Sequence, residues 1–336
     1  MITEEFQNSA LYVGIDAHRE EHTAVMATRF EEERGNLTFA NDRQGINQFL
    51  SWLRQTGEER KIIGIEGGGR TRNALVTCLL NQTYPVFEVN PLYTKQRRGY
   101  GTRGDKSDIL DAKLVVEVLT RKLNRLSKLN PADYSPARLT LTKTTRFYEE
   151  LAWQRTRLKN QLKSLLKERQ LAQDGEERRT LDLIIREKKK ELTRIGKLET
   201  KFKQRLSLLL ERQGSGNLTT MKGISTVLAA RIIAQTGDIR NFANLDKFIK
   251  YAGIAPLEES SGKTRGHRKN RTGNRRLNSA FYLLALNQLR WNTQAKEYFQ
   301  KKIREGKTKK QALRCLMKRV ACIVYGLLKS GESYRG

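Results

Sequence analysis

Asp16 and Glu66 each stand at the end of a short apolar run, LYVGID and KIIGIE, and Asp108 and Asp111 stand three residues apart in DILDAKLVVEVL. Residues three apart on a helix are surface neighbours, so the last two can point at one site. Four carboxylates gathered together repel one another unless a cation neutralises them, and hard oxygen ligands of this kind select Mg²⁺ or Mn²⁺. Two such ions can activate an attacking oxygen and stabilise a leaving one in phosphoryl transfer. The plainer alternative is a set of ordinary strand-end and helix-start acids. Asp108 sits where a helix cap is common, and Asp105 close by is a further candidate.

A second constellation runs from Glu258 to Lys269, EESSGKTRGHRK. A serine before glycine among Arg and Lys could attack a phosphodiester whose developing charge those cations would stabilise. A phosphate-binding basic loop whose serines only donate hydrogen bonds is the competing reading. Met221-Lys222-Gly223-Ile224-Ser225 looks like a helix-hairpin-helix turn, in which backbone N–H groups meet a DNA phosphate. Gly67-Gly68-Gly69 lacks the spacing of a P-loop or a dinucleotide fingerprint, so neither ATP nor NAD is expected.

The elements that must position these residues alternate. Strands are expected at Leu11–Asp16, His22–Phe30 and Asn36–Ala40, with a turn at Glu33-Arg34-Gly35. An amphipathic helix follows at Gly45–Arg54, then a strand at Lys61–Glu66, a helix at Asn73–Leu80, a strand at Pro85–Val89 and a helix at Asp108–Leu119. Three strands in meander, then helix, strand, helix, strand, helix, is the order of the α/β ribonuclease-H-like (RuvC-like) plan; a generic doubly wound α/β domain is the alternative. In the former, the first and fourth strands are adjacent, which would bring Asp16 beside Glu66 with the closing helix across them.

Residues 131–138, PADYSPAR, read as a linker. Tyr148, Leu151, Leu158, Leu162 and Leu165 then keep a heptad spacing interrupted at Arg155. After a turn at Asp174-Gly175, Ile185, Leu192, Ile195, Phe202, Leu206 and Leu209 resume it, with Lys188 and Glu199 as interruptions. Folding back as an antiparallel coiled coil and pairing with another protomer are both allowed. A mainly helical region follows Gly214-Ser215-Gly216, with helices at Leu218–Gln235, Leu245–Tyr251, Ser279–Leu289 and Gln311–Lys329, and Pro256–Arg276 as a polar loop. The domain boundaries so drawn are 1–130, 131–214 and 215–336.

The net charge of +29 is unevenly spread: residues 1–100 hold 12 Lys+Arg against 13 Asp+Glu, and residues 101–336 hold 53 against 23. A near-neutral head on a strongly basic body is the footprint of a polyanion binder, with nucleic acid the natural partner. A membrane-surface patch fits less well, because the charge spans many elements rather than one amphipathic helix. No run approaches the roughly 18 apolar residues of a spanning helix. The acidic start, MITEEFQNSA, does not resemble a secretory signal, so a cytoplasmic location is expected. The three cysteines and three histidines lie too far apart in sequence to suggest a disulfide framework or zinc knuckle.

The strand YVGID with Asp16, the strand IIGIE with Glu66, KSDILDAK with Asp108 and Asp111, and YAGIAP followed by SSG together resemble the insertion-sequence 110 family of DEDD transposases, related to the Piv-type DNA invertases. The resemblance spans about Leu11 to Lys329 and implies a RuvC-like domain, a coiled coil and a C-terminal transposase domain. It implies a DNA recombinase in which Asp16, Glu66, Asp108 and Asp111 bind Mg²⁺ and Ser261 attacks the DNA backbone to give a covalent phosphoserine. It further implies a structured bridge RNA that pairs with target and donor DNA, and assembly as a dimer of dimers in which one protomer's acids meet another's serine. Two departures stand out. Gly67-Gly68-Gly69-Arg70 replaces the family's usual small residue, Thr-Gly and aromatic after the acid, and Ser260 precedes Ser261 as a second possible nucleophile. Without the resemblance, a metal-dependent, structure-specific nuclease of the Holliday-junction resolvase type and a non-enzymatic RNA- or DNA-binding scaffold compete with this reading.

Overall fold

A computed structural model of the chain describes residues 3–57, 60–67, 69, 71–98, 107–255, 257–261, 264–268 and 273–335, with backbone alone at 97–98, 257–261 and 264–268. The chain divides into two compact units, Met1–Ser135 and Pro136–Gly336.

The first unit begins with α1 (Glu4–Ser9), β1 (Leu11–Ala17), β2 (Glu21–Ala27), β3 (Glu33–Ala40) and α2 (Arg43–Gln55). It continues with β4 (Lys61–Gly67), α3 (Asn73–Asn81), β5 (Val86–Glu88), α4 (Pro91–Arg98), α5 (Asp108–Lys122) and β6 (Ser127–Lys128). The sheet order is β3-β2-β1-β4-β5-β6. β1, β2 and β3 form the antiparallel meander, and β4 and β5 run parallel to β1. This order and these directions match the ribonuclease-H-like plan. One face of the sheet packs Val13, Ile15, Ile63 and Ile65 with Phe49 and Leu53 of α2 and Leu75 and Leu79 of α3. The other packs Tyr12 and Ile62 with Ala112, Val115, Val116 and Leu119 of α5.

The first turn lies elsewhere than expected. Glu33-Arg34-Gly35 belongs to β3 and carries a bulge, in which Met26 pairs with Gly35 and Ala27 with Glu33. Thr28 makes the turn instead: its hydroxyl accepts from the backbone N–H groups of Phe30 and Glu32, each at 3.3 Å. A threonine hydroxyl competing for local N–H groups outweighed the glycine.

Two glycines decide how closely α5 can approach. A Cβ on Gly14 would lie 2.3 Å from the Ala112 carbonyl oxygen and 2.7 Å from the Val116 nitrogen, and one on Gly64 would lie 2.6 Å from Leu119. The helix backbone therefore rests directly on β1. Gly14→Ala forces that backbone away from the sheet, so denaturant unfolding should show a loss of about 2–3 kcal/mol, typical of an overpacked core. An unchanged midpoint would mean that α5 yields freely.

The second unit opens with α6 (Pro136–Leu171) and α7 (Gly175–Arg212), which fold back on each other in an antiparallel hairpin. Leu151, Leu158 and Ile195 form its buried seam with Leu192, Leu198 and Phe202. Arg155 and Glu199, two of the polar interruptions, meet there at 2.8 Å with Glu199 buried. Leu141 of α6 and Leu206, Leu209 and Leu210 of α7 enter a larger core. That core includes residues of α8 (Thr226–Thr236) and α9 (Leu245–Tyr251).

The segment expected as a loop holds a hairpin, β7 (Leu257–Ser261) paired with β8 (Thr264–Arg268), in register from Leu257↔Arg268 to Ser261↔Thr264. Ser261-Gly262-Lys263-Thr264 has the two-residue spacing and leading glycine of a hairpin link, a signal hidden by the polar composition. α10 (Arg275–Trp291), α11 (Thr293–Arg304) and α12 (Lys309–Ser330) complete the unit. The helix expected from Leu218 begins at Thr226, because Ser225 caps it through Leu228 N–H at 3.3 Å. Among the described residues no helix is long and apolar enough to cross a membrane.

Candidate active site

Strand alternation sets the face on which the first two acids stand. Tyr12 and Ile62 pack on the α5 side and Gly14 and Gly64 meet α5, so Asp16 and Glu66 continue that same face beyond them. They are paired in register at the carboxyl ends of β1 and β4. α5 crosses this face and presents Asp108 and Asp111 in its first turn. Asp108 is not the helix cap: Ser107 is, its hydroxyl accepting from Leu110 N–H at 3.2 Å. Asp108 is thereby free of the capping role, and an acid in a first turn is favoured by the helix dipole.

Among the described residues, ligand atoms of Asp16, His18 and Asp108 all lie within 4.8 Å of one another. His18 Nε2 is 3.0 Å from Asp16 Oδ2 and 3.7 Å from Asp108 Oδ1. Asp111 is buried, 7% exposed, and is coupled electrostatically to Asp16. The structure thus brings Asp16 and Asp108 together, with Glu66 in register beside Asp16 and Asp111 one helical step from Asp108. Burial, foremost, pushes the Asp16 carboxyl above its ordinary value; His18 opposes the rise by charge and hydrogen bond, and Asp111 and Asp108 add to it.

Sequence reasoning passed over His18. The signal was its place two residues after Asp16, immediately past the end of β1. The backbone holds it there, with its N–H donating to the Glu21 carbonyl at 3.1 Å. Two carboxylates and an imidazole nitrogen within 4.8 Å of one another suit a divalent cation. A nitrogen ligand favours Mn²⁺ relative to Mg²⁺, so His18→Asn should weaken Mn²⁺ binding about tenfold, in line with perturbing a metal's immediate surroundings, and Mg²⁺ binding less. Titration calorimetry measures both; equal losses would place His18 outside the coordination sphere.

The serines stand in the other unit. Ser261 ends β7 opposite Thr264, and Ser260 faces Arg265 in the ladder. Asp105 and Gly262 lie outside the described residues. The helix-hairpin-helix candidate forms the turn before α8, with Gly223 at φ +95°.

A sheet of this order, with acids gathered where its first and fourth strands end, defines the class of ribonuclease-H-like domains with an acidic site. Comparison with known proteins gives the particular family. A model of the IS110 DEDD transposases matches residues 13–170 and one of the transposase IS116/IS110/IS902 family matches residues 215–300. The chain belongs to the IS110 family of transposases.

Among similar proteins, the insertion element IS110 43.6 kDa protein of Streptomyces coelicolor is 29% identical over 46% of this chain and 39% of its own length. The IS900 42 kDa protein of Mycobacterium paratuberculosis is 34% identical over 35% of this chain and 30% of its own. The pilin gene-inverting protein of Moraxella lacunata is 25% identical over 97% of this chain and 98% of its own. The matches to the first two thus span well under half of those relatives. Membership of a DEDD family implies use of a divalent metal.

Proposed function

We propose that this protein cuts and rejoins DNA at specific sites, with Asp16, Glu66, Asp108 and Asp111 holding Mg²⁺ or Mn²⁺ and Ser261 as the nucleophile. The observation that carries the acid site is the convergence of Asp16, His18 and Asp108 beside Glu66 on the α5 face of the sheet. A divalent cation bound there would supply Lewis-acid stabilisation of charge building on a phosphate oxygen. The acids orient and neutralise; they form no bond to DNA. The Ser261 hydroxyl gives up its proton and attacks phosphorus, the O–P bond to the departing strand breaks, and that strand's oxygen takes a proton. Attack by a new strand's hydroxyl on the phosphoserine then restores the serine.

The basic body holds polyanions, and a bridge RNA pairing with target and donor DNA would supply sequence choice while Lys and Arg supply affinity. Several copies act together in this reading, as the joining of two DNA sites requires.

The test is to denature the full chain during reaction with its element's DNA and RNA and to map any DNA-linked peptide by mass spectrometry. A nucleotide on Ser261 is the expected result. Free cut ends with no adduct would favour direct hydrolysis at the acid site, as in a resolvase-type nuclease, and no cutting at all would favour a scaffold.

A further inference from the structure

A cleft of about 590 Å³ opens at the carboxyl ends of β4 and β5, lined among others by Gly67, Arg72, Asn90, Tyr93, Arg125 and Ser127. The carboxyl ends of strands are where α/β sheets receive ligands, and the volume falls in the range of small-ligand pockets, roughly 300–1,000 Å³. The cleft and the acid site share a wall. Gly67 directly follows Glu66 and pairs with Ala17, and a Cβ placed on it would lie 3.8 Å from Asp16 Oδ1. Gly67 also has φ +70°, so a side chain is excluded there on conformational grounds as well.

We propose that this cleft binds one nucleotide of the DNA strand, next to the phosphate that the acid site handles. The inference rests on the proposed recombinase function and adds a substrate contact that it does not require. Three features of the lining point to a nucleoside phosphate.

Arg72 is buried, 8% exposed; its Nη2 pairs with Glu88 and its Nη1 reaches the Ile65 carbonyl at 3.5 Å, while its Nε has no hydrogen-bond partner among the described residues. That nitrogen is closed off from solvent and the guanidinium is paired with Glu88, which also lines the cleft, so Arg72 braces the wall and the phosphate contact falls to an exposed cation. Arg125 is exposed at the cleft and makes no ion pair among the described residues, so its charge is available to a phosphate. Tyr93 contributes a half-buried ring with Lys122 Nζ 4.6 Å from its centroid. Aromatic rings flanked by cations are platforms for unpaired bases. The Asn90 Oδ1 accepts from Leu92 N–H at 2.9 Å, which leaves its amide N–H groups for a base edge.

A deoxyribonucleotide is favoured over other anions because the cleft combines a stacking ring, an amide donor and an exposed guanidinium beside a site for DNA phosphates. Photocrosslinking tests it. The full chain is irradiated with DNA single strands carrying 5-iodo-2′-deoxyuridine, with the same strands as RNA carrying 5-iodouridine, and with competing thymidine monophosphate. The expected result is a DNA crosslink on Tyr93, weakened about fivefold or more by Tyr93→Leu as measured by strand affinity. Arg125→Gln, an exposed change that spares the core, should weaken the crosslink too.

Crosslinks confined to the second unit would overturn the proposal. An equal or stronger crosslink from RNA would assign the cleft to RNA, and competition by the free nucleotide with no strand crosslink would make it a nucleotide site unconnected with the strand. Asp16→Asn separates the two readings. If that variant keeps the Tyr93 crosslink while losing cleavage, both stand; if it still cleaves, the acid-site reading falls and the cleft remains.

Discussion

Asp16→Asn should reduce DNA cleavage by about 10³-fold or more, a barrier increase of about 4 kcal/mol, which is the scale of losing a metal-stabilised charge at phosphorus. The same substitution should raise the melting temperature of the metal-free protein. The sign follows from the raised carboxyl. A group whose pKa is higher folded than unfolded binds its proton more tightly in the folded state. Its stabilising effect is present at low pH and is lost as pH rises from the ordinary carboxylate value through the raised one. At neutral pH the folded protein therefore carries a buried carboxylate opposed by Asp108 and Asp111, and asparagine removes that cost while keeping the shape. Mn²⁺ or Mg²⁺ should stabilise the wild-type chain and have little effect on the variant. Scanning calorimetry with and without metal, alongside a cleavage assay, reads all of this. A variant that is inactive but also less stable and still stabilised by metal would show that Asp16 serves packing rather than the ion.

Ser261→Ala should abolish the DNA adduct and lower strand joining by about 10⁴-fold or more, as expected when a covalent nucleophile is removed and its supporting groups have nothing to act on. Ser260→Ala should stay within about tenfold of wild type, since that position borders the nucleophile without replacing it. The register gives the contrast its basis: Ser261 closes the β7–β8 ladder against Thr264, whereas Ser260 pairs one rung earlier with Arg265. A reversed outcome, with Ser260→Ala inactive and Ser261→Ala active, would move the nucleophile by one rung of the ladder. Metal binding at the acid site should be unchanged in both variants, which separates a lost nucleophile from a damaged centre.

Much of the acid site was legible because its information is local. LYVGID and KIIGIE are too apolar to be anything but buried strands, and each ends on its acid; the 3.6-residue period of DILDAKLVVEVL places Asp108 and Asp111 on one side. Gly14 was equally visible, yet its meaning was not, because the helix backbone that needs the missing Cβ is about a hundred residues away. His18 escaped for a related reason. Counting histidines for zinc spacing overlooks one that stands just past a strand's end beside a single acid. The hairpin at Leu257–Arg268 was lost behind its charge: EESS and TRGHR have no apolar alternation, so the pairing shows only in the two-residue link. The coiled segment was read well, heptads being strongly periodic, but the choice between folding back and pairing with another copy lay in the three residues between α6 and α7.

That hairpin also behaves as a ruler. Its arms of 36 and 38 residues correspond to about 54–57 Å at 1.5 Å per residue, and the Arg155–Glu199 pair pins one arm's register to the other. Sliding either helix by one residue would draw the buried Glu199 carboxylate away from Arg155. Length can therefore change only by matched whole heptads on both arms. Any distance this hairpin sets is inherited in steps of about 10 Å, the rise of seven helical residues, and cannot drift by single insertions.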